Sequence, residues 1–187
     1  MKVDNTLVSP VSFAGPERLA GVLRILLFAA LSAVGAQISI PHQPVPYTLQ
    51  TFFVLLSGAY LGKRDGAISQ TLYLLVGAAG APVFSGWGFG LARLIGPTGG
   101  YLLSFPVASF VVGYLIGQRN NIWRSAISMA AGLFVVFSLG AIQLNYVYVH
   151  DWPQALRSGF LAFTWWDGAK LIGAAFLGNR LKPHTGL

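Results

Sequence analysis

Two charged side chains stand out because they lie inside an otherwise apolar stretch towards the end of the chain. Asp167 and Lys170 are three residues apart in the run Trp-Trp-Asp-Gly-Ala-Lys, so a helix places both on one face. If this stretch spans a membrane, each charge costs at least a few kcal/mol and must face protein, water or a ligand. One interpretation is a structural pair whose charges neutralise each other. Because ionisable residues within membrane spans are usually functional, we favour a polar ligand site with one fixed acceptor and one fixed donor.

A lone basic residue and an amide extend this set. Arg93 is the only basic residue between Arg64 and Arg119, and it lies between two glycine-rich clusters. A guanidinium binds a carboxylate through two parallel hydrogen bonds, so Arg93 is a candidate anion-binding residue; the alternative is an interfacial arginine that extends to lipid headgroups. Gln50 follows Pro46 in the first turn of an apolar segment, where its amide needs a partner. Helix packing and a ligand contact are equally open for Gln50.

The sequence lacks the residue patterns of the common enzyme classes. Cysteine is absent, which excludes a thiolate metal site and a cysteine nucleophile. Residues 58–64 are similar to a phosphate-binding loop, but three residues separate the glycines where four are needed, and Arg64 replaces Ser or Thr. His42, His150 and His184 are far apart and lack metal-ligand spacing. We therefore predict a protein that is not an enzyme and that needs neither a metal nor a cofactor.

The composition around these residues is that of a membrane protein. The chain has 187 residues, a mean hydropathy of +0.64 and only 9% charged residues, whereas soluble domains carry about 25%. The net charge of +7 comes from residues that flank apolar blocks, which argues against a nucleic-acid partner. The N-terminal stretch does not have the pattern of a signal peptide. We predict an N-terminal tail (1–18), one membrane domain (19–181) and a C-terminal tail (182–187).

Apolar blocks predict the helices that must position the candidate site. We expect helices at residues 19–40, 48–61, 66–83, 99–118, 122–149 and 154–181. Basic residues concentrate before the first block and after the second, fourth and sixth blocks, while the other loops hold few. The positive-inside rule then predicts an all-α integral membrane protein, a bundle of six transmembrane helices with the N- and C-termini in the cytoplasm.

Small residues form a stripe on the first predicted helix. Ala29, Ala33 and Gln37 follow one another at a spacing of four, with Ser32 and Ala36 beside them. Such a stripe lets another helix approach closely, since lipid provides no hydrophobic drive for helix association. Packing within this bundle is the favoured interpretation, and docking against a partner membrane protein is the alternative.

Three runs of the sequence are distinctive: residues 46–58 (PYTLQTFFVLLSG), 80–84 (GAPVF) and 96–102 (GPTGGYL), of which the last is the most specific. These runs resemble the BioY family, the biotin-specific substrate-binding (S) components of energy-coupling-factor (ECF) transporters. The spacing of Asp167 and Lys170 also resembles the acidic-x-x-basic pattern of the family's final helix. The resemblance covers nearly the whole chain after the N-terminal tail, with a weaker match at 147–160. It implies a six-helix bundle that binds biotin near the outer face with very high affinity.

The resemblance also implies partners and site residues. A transmembrane coupling (T) component and two ATP-binding cassette ATPases would drive uptake across the bacterial plasma (inner) membrane. The small residues that contact the coupling protein in the family correspond to Ala29 and Ala33. The binding positions of the family correspond to Gln50, Arg93, Asp167 and Lys170.

Biotin suits this set of residues. It has a carboxylate, a ureido group with two N–H donors and one carbonyl, and an apolar ring and chain. Asp167 is expected to accept from the ureido nitrogens, while Arg93 and Lys170 divide the carboxylate and the ureido oxygen in an order that the sequence leaves open. Aromatic side chains are expected to complete a mostly apolar pocket. The aromatic candidates are Trp87, Tyr101, Trp165 and Trp166.

Three functional classes follow from these observations. We predict a biotin-binding subunit without catalytic activity that is driven by partner ATPases. A stand-alone secondary carrier, in which Asp167 relays a proton, is the alternative, although no inverted repeat supports it. An intramembrane enzyme is the third class, and the missing catalytic residue patterns argue against it.

Overall fold

The structure is a computed structural model that describes residues 16–117, 121–160 and 165–181. This part of the chain is mostly helical, with one two-stranded hairpin. The helices are α1 (Pro16–Gln37), α2 (Gln50–Ala78), α3 (Leu91–Ile95), α4 (Gly99–Ile116), α5 (Ile122–Leu144), α6 (Trp152–Gly159) and α7 (Trp165–Leu181). The remaining elements are β1 (Ser39–Ile40), β2 (Tyr47–Thr48), a 3-10 turn (Ser85–Trp87) and a π-helical turn that continues α5 (Asn145–Val149).

The first helix is shorter at its C-terminal end than the sequence predicts. α1 ends at Gln37, and Ile40 pairs with Tyr47 in an antiparallel strand pair, so the prediction of helix for 19–40 is wrong at its end. Ile40 precedes Pro41, and the residue before a proline is disfavoured in the helical conformation. The strand pair brings Tyr47 and Thr48 to the end of the bundle where α2 begins.

The second helix is a hairpin of two antiparallel limbs. Gly62 has φ 82° and ψ −179°, a conformation that favours glycine, and it divides α2 into limbs 50–61 and 63–78. A Cβ on Gly66 would lie 3.0 Å from the Cα of Gly58, whereas a straight helix would separate these residues by about 12 Å. The limbs correspond to the predicted helices 48–61 and 66–83, but α2 begins at Gln50 and ends at Ala78, so the outer ends of both predictions are wrong. The break predicted between these helices, at residues 62–65, is wrong for 63–65, because these residues are helical and the chain reverses at Gly62.

Glycines let α4 pack closely against both limbs of α2. A Cβ on Gly58 would collide with the carbonyl oxygen of Ser109, and a Cβ on Gly113 would collide with the backbone of Gly62 and Lys63. Such close backbone approach holds helices together in lipid. The buried core around these contacts includes Val54, Leu55, Tyr73, Phe105, Ala108, Val112, Met129, Leu133 and Ala174.

Buried polar side chains link α1, the two limbs of α2, and α4. Ser32 Oγ donates to Gln70 Oε1 at 3.0 Å, and Gln70 Nε2 donates to Ser57 Oγ at 3.2 Å. Ser57 Oγ lies 2.9 Å from Ser109 Oγ. All four side chains are fully buried. Each therefore finds on a neighbouring helix the partner that an apolar environment would not provide.

The small-residue stripe of α1 lies against the bundle's own core. Ala29 is 9% exposed and belongs to a core cluster, and the half-buried Ala33 packs against the same cluster. Ser32 is fully buried, whereas Leu27 on the other side of α1 is exposed. Packing within the bundle accounts for this burial, and docking by Ala29 and Ala33 stays a prediction.

The last predicted helix, 154–181, is interrupted. α6 ends at Gly159, Phe160 is not helical, and α7 begins at Trp165, so the prediction of one continuous helix is wrong. Tyr101 Oη donates to the carbonyl oxygen of Gly159 at 2.8 Å. That carbonyl would otherwise accept from the next turn of a continuing helix. Residues 161–164 lie outside the described part of the chain.

The surface of the bundle is suited to lipid. Among the described residues, three helices are long and apolar enough to cross a membrane, at 17–37, 99–116 and 122–149. Large apolar side chains are exposed on several helices, a property that monomeric soluble proteins avoid over large areas. The chain is a membrane protein. Examples of the exposed side chains are Leu23, Leu75, Phe110, Phe134, Ile172 and Phe176.

Candidate ligand-binding site

A cavity lies at the end of the bundle where α2 begins and α3 is attached. The enclosed part of its volume is about 80 Å³, and the space including its open mouth is about 800 Å³. Its wall combines β2, α2, α3, α4 and α5 with the end of α6 and the start of α7. The side chains predicted as binding residues all line this cavity, and they are Gln50, Arg93, Tyr101, Asp167 and Lys170.

Asp167 and Lys170 form a buried ion pair in the cavity wall. Lys170 Nζ lies 2.6 Å from Asp167 Oδ1, and the two residues are 6% and 2% exposed respectively. Lys170 Nζ also donates to the carbonyl oxygen of Thr48 at 2.9 Å and to Thr51 Oγ1 at 2.7 Å. An ammonium has three N–H donors, so these three acceptors use all of them. The pair therefore joins α7 to the start of α2 and fixes the position of the carboxylate.

Gln50 is buried, and its amide is held from two sides. Its Nε2 donates to Tyr73 Oη at 2.5 Å, and its Oε1 accepts from Thr48 Oγ1 at 2.9 Å. Thr48 Oγ1 also accepts from the backbone N–H of Gln50 at 3.3 Å, although the N-cap position of α2 is occupied by Leu49. Gln50 therefore has a packing role and also lines the cavity, while a ligand contact of Gln50 stays a prediction.

Arg93 lies on the short helix α3 at the mouth of the cavity, where it is exposed. Within the described ranges, no carboxylate is in ion-pairing distance of its guanidinium. The guanidinium packs over Gly88, where a Cβ would lie 2.6 Å from Arg93 Nε. Gln143 of α5 caps α3, because its Nε2 lies 3.0, 3.1 and 3.0 Å from the carbonyl oxygens of residues 94, 95 and 96, which share its two N–H donors. The arginine is thus held at the mouth with its charge available to an anion.

The glycine-rich run at 96–102 packs helices around the cavity. A Cβ on Gly99 would collide with the backbone of α3, and a Cβ on Gly100 would collide with the backbone of α5. The ring of Tyr101 packs against the Cα of Gly140, where there is no room for a Cβ. These glycines serve close packing, and they bring the Tyr101 side chain into the cavity wall.

The apolar part of the wall could not be identified from the sequence. It is formed mainly by aromatic and branched side chains of the loop before α3 and of helices α4 and α5. Nothing in residue type or spacing separates these side chains from the other apolar residues of their segments. They are Phe84, Leu102, Phe105, Val136 and Phe137.

The aromatic candidates have different outcomes. Tyr101 lines the cavity. Trp87 is 68% exposed and is not part of the wall, so its prediction as a pocket residue is wrong. Its backbone N–H donates to a side chain of α1, while its ring faces outwards. The side chains of Trp165 and Trp166 lie outside the described part. Tyr47 is an additional aromatic wall residue. Burial raises the pKa of the Tyr47 phenol, and the charge of Asp167 raises it further, so this phenol is neutral at physiological pH.

The cavity has the features of a binding site for a small, partly polar molecule. It offers a fixed acid with its counter-ion, a fixed amide and a guanidinium at the mouth, set in mostly apolar walls. In the residues that the structure describes, no three metal-ligating side chains come together. The fold and the site define a membrane-embedded protein that binds a small molecule.

Comparison with known proteins gives the family. The sequence pattern of the BioY family matches residues 8–186. The chain is 46% identical over 156 residues to the "Biotin transporter BioY" of Thermotoga maritima, a match that covers 83% of this chain and 92% of the relative. It is 38% identical over 161 residues to the "Probable biotin transporter BioY" of Pyrococcus horikoshii, with coverage of 86% and 95%.

A solved structure agrees with these relatives. The fold is similar to the crystal structure of the S-component for biotin from an ECF-type ABC transporter, with a TM-score of 0.85 and 25% sequence identity. The similarity covers 94% of this chain and 97% of the other. The chain therefore belongs to the BioY family. Because its relatives are named as transporters and its fold is that of a transporter component, it is not an enzyme.

Proposed function

We propose that this protein captures biotin for uptake, as the high-affinity, membrane-embedded S component of an ECF-type ABC transporter. The observation that carries the proposal is the cavity of this BioY-family chain, which brings together Asp167, Lys170, Gln50 and Arg93. These residues are distant in sequence and chemically complementary to the polar groups of biotin. The apolar walls suit the ring system and the aliphatic chain.

The hydrogen-bond pattern of the cavity suggests how biotin would lie. Asp167 is the acceptor for one of the two diverging ureido N–H groups, in the part of the wall formed by α7 and α2. All three donors of Lys170 are used by protein acceptors, so its role is to hold Asp167 and to balance its charge. Arg93 at the mouth then takes the carboxylate. This assignment chooses between the two basic residues, which the sequence did not do.

Equilibrium binding of labelled biotin to the purified protein tests the proposal. We expect saturable binding that unlabelled biotin displaces and that unrelated vitamins such as thiamine do not. Biotin methyl ester, which lacks the negative charge, should compete less well because Arg93 loses its ionic partner. The proposal is overturned if the protein shows no preference for biotin over the other vitamins.

We further propose that six helical segments cross the membrane, with both termini in the cytoplasm. The segments are α1, the two limbs of α2, α4, α5 and α7. The cavity would lie at the outer face. The opposite end of the bundle carries Lys63 and Arg64 at the reversal of α2, Arg124 at the start of α5 and Arg180 near the end of α7, an arrangement that the positive-inside rule favours for a cytoplasmic face.

The natural absence of cysteine allows a direct test of this orientation. A single cysteine is introduced as Arg64→Cys or as Gln154→Cys, both at exposed positions at opposite ends of the bundle. A membrane-impermeant maleimide added to intact cells should label the Gln154 variant, and it should label the Arg64 variant only after the membrane is opened. The reverse pattern would contradict the proposed orientation.

We also propose that a transmembrane coupling (T) component and two ATP-binding cassette ATPases complete the transporter in the bacterial plasma membrane. In this arrangement Ala29 and Ala33 lie at or near the contact with the coupling protein. Ala33→Leu should reduce co-purification with the coupling protein while biotin binding is kept. Gly21→Leu on the same helix is the control, because a Cβ there meets no atom within 4 Å. Equal effects of both variants would remove Ala33 from the interface.

Uptake measurements separate this proposal from the stand-alone carrier. If the ATPases drive transport, deletion of every coupling ATPase abolishes biotin uptake. Uptake that persists without them and collapses with the proton gradient would favour a secondary carrier in which Asp167 exchanges a proton.

A further inference from the structure

Tyr73 is a buried hydroxyl group directly behind the cavity wall. It is 1% exposed and does not line the cavity, but it contacts three residues that do. Its Oη accepts from Gln50, its ring meets Phe84 edge-on with centroids 5.5 Å apart, and it stacks with Phe105 at 6.5 Å. Tyr73 therefore supports the polar and the aromatic parts of the wall from behind.

The partners of Tyr73 determine which end of the Gln50 amide faces it. Tyr73 Oη lies 3.1 Å from the carbonyl oxygen of Val83, and a carbonyl can only accept. The phenol must therefore use its single hydrogen on Val83, and it must accept from Gln50. The group that Gln50 directs at Tyr73 is thus the NH₂ and not the oxygen.

Thr48 fixes the same orientation from the other side. Its Oγ1 accepts from the backbone N–H of Gln50, so its hydrogen is available for the side-chain Oε1 at 2.9 Å. An amide NH₂ has two donors, and Tyr73 takes one of them. The second N–H of Gln50 remains for another acceptor, and the Gln50 amide is buried and lines the cavity. Gln50 therefore acts as a hydrogen-bond donor towards the cavity.

We propose that Tyr73 is a positioning residue for ligand recognition, which holds Gln50 so that its second N–H donates to the ureido oxygen of biotin. This inference rests on the proposed function. Thr48 contacts both Gln50 and Lys170, which places Gln50 beside the pair that contains Asp167. A ureido group with one N–H donor on Asp167 has its carbonyl oxygen next to that donor, within the part of the wall that Gln50 occupies.

Tyr73→Phe tests the proposal, because it removes the hydroxyl and keeps the aromatic contacts. Biotin affinity should fall about 3- to 10-fold, the value of one neutral hydrogen bond. The same change in a Gln50→Ala background should have no further effect, since residues that act through one another are not additive. The matched control is Tyr60→Phe on the same helix, whose ring packs against Phe28 away from the cavity; its affinity should equal that of the wild type.

Two further measurements separate positioning from a general structural role. Thr48→Val removes the other orienting hydroxyl and leaves Tyr73 unchanged. It should weaken biotin binding in the wild-type background and have no further effect in the Gln50→Ala background. With 2-thiobiotin, in which the weak acceptor sulfur replaces the ureido oxygen, Tyr73→Phe should cost less than it does with biotin.

The possible outcomes are distinct. Failure of the wild-type protein to bind biotin overturns the proposed function itself. If the wild type binds biotin normally, two results overturn the positioning role alone. One is full biotin affinity of Tyr73→Phe, and the other is a loss of affinity from Tyr73→Phe that is as large in the Gln50→Ala background as in the wild type. If Tyr73→Phe does not fold, the Thr48→Val cycle with Gln50→Ala decides in the same way.

Discussion

Replacement of Lys170 by methionine is expected to destabilise the protein strongly, and replacement of both members of the ion pair is expected to destabilise it less. Methionine keeps the length of the side chain but leaves Asp167, which is 2% exposed, without its counter-ion. Loss of one partner of a buried pair costs about 3–5 kcal/mol. In the double variant, Asp167→Asn with Lys170→Met, no charge is left unpaired.

The smaller cost of the double variant can be estimated from the remaining contacts. Besides Asp167, Lys170 donates to the carbonyl oxygen of Thr48 and to Thr51 Oγ1. Loss of two hydrogen bonds of about 0.5–1.5 kcal/mol each gives about 1–3 kcal/mol. The double variant should therefore be more stable than the single variant by about 2 kcal/mol, although both should lose biotin binding.

The assay is denaturant-induced unfolding of the wild type and the variants in one detergent, together with labelled-biotin titration. Arg180→Met on the same helix is the matched control, because Arg180 is exposed and packs over the ring of Phe176. Its free energy of unfolding should change by about 0.5 kcal/mol or less. Wild-type stability of Lys170→Met, or a double variant no more stable than the single one, would show that the two charges do not neutralise each other in a buried wall.

Three further predictions concern the mouth of the cavity, and biotin titration checks all of them. Arg93→Ala should weaken binding about 10- to 100-fold through the loss of charge-assisted hydrogen bonds, while the unfolding midpoint stays unchanged. Arg157→Ala, at an exposed position on α6, is the control. An equal loss of affinity in this control would instead indicate general charge attraction. Gly88→Ala should weaken binding about 3- to 10-fold, because the new methyl displaces the Arg93 guanidinium and misaligns about one of its hydrogen bonds to the ligand. The same change should have no further effect in the Arg93→Ala background. Gln143→Leu should weaken binding and speed hydrogen exchange of α3 amides, because α3 loses its cap; unchanged exchange would contradict the role of Gln143.

Much of the polar site was predictable because charges are conspicuous in an apolar chain. Asp167, Lys170 and Arg93 have few polar neighbours in sequence, and each needs a physical reason to be where it is. The partners of Lys170 were not predictable, since one of them is the backbone carbonyl of Thr48 and any residue could provide it. The aromatic wall was also not predictable, because Phe105 and its neighbours are ordinary residues of apolar helices.

Two of the errors in helix boundaries have different causes, one local and one distant. The polar run at 63–66 has the composition of a loop, yet polar residues are equally suited to the first turn of a helix, where Asp65 meets the positive end of the helix dipole. The break after α6 coincides with a hydrogen bond from Tyr101 to the carbonyl oxygen of Gly159, a residue 58 positions away. A hydropathy pattern holds no information on a contact of that range.

The reversal at Gly62 has a consequence for the biosynthesis of the protein. The first limb of α2 has 12 residues, from 50 to 61, a rise of about 18 Å, so it crosses a hydrocarbon layer of about 30 Å only together with the residues at its two ends. None of its residues is exposed, because α1, the second limb, α4 and α7 surround it. Such a segment does not need to match the thickness of the lipid layer, and it is a poor substrate for insertion by itself. It acquires its stable environment only after translation of the helices that enclose it, so assembly of the ligand cavity is a late event in the maturation of the chain.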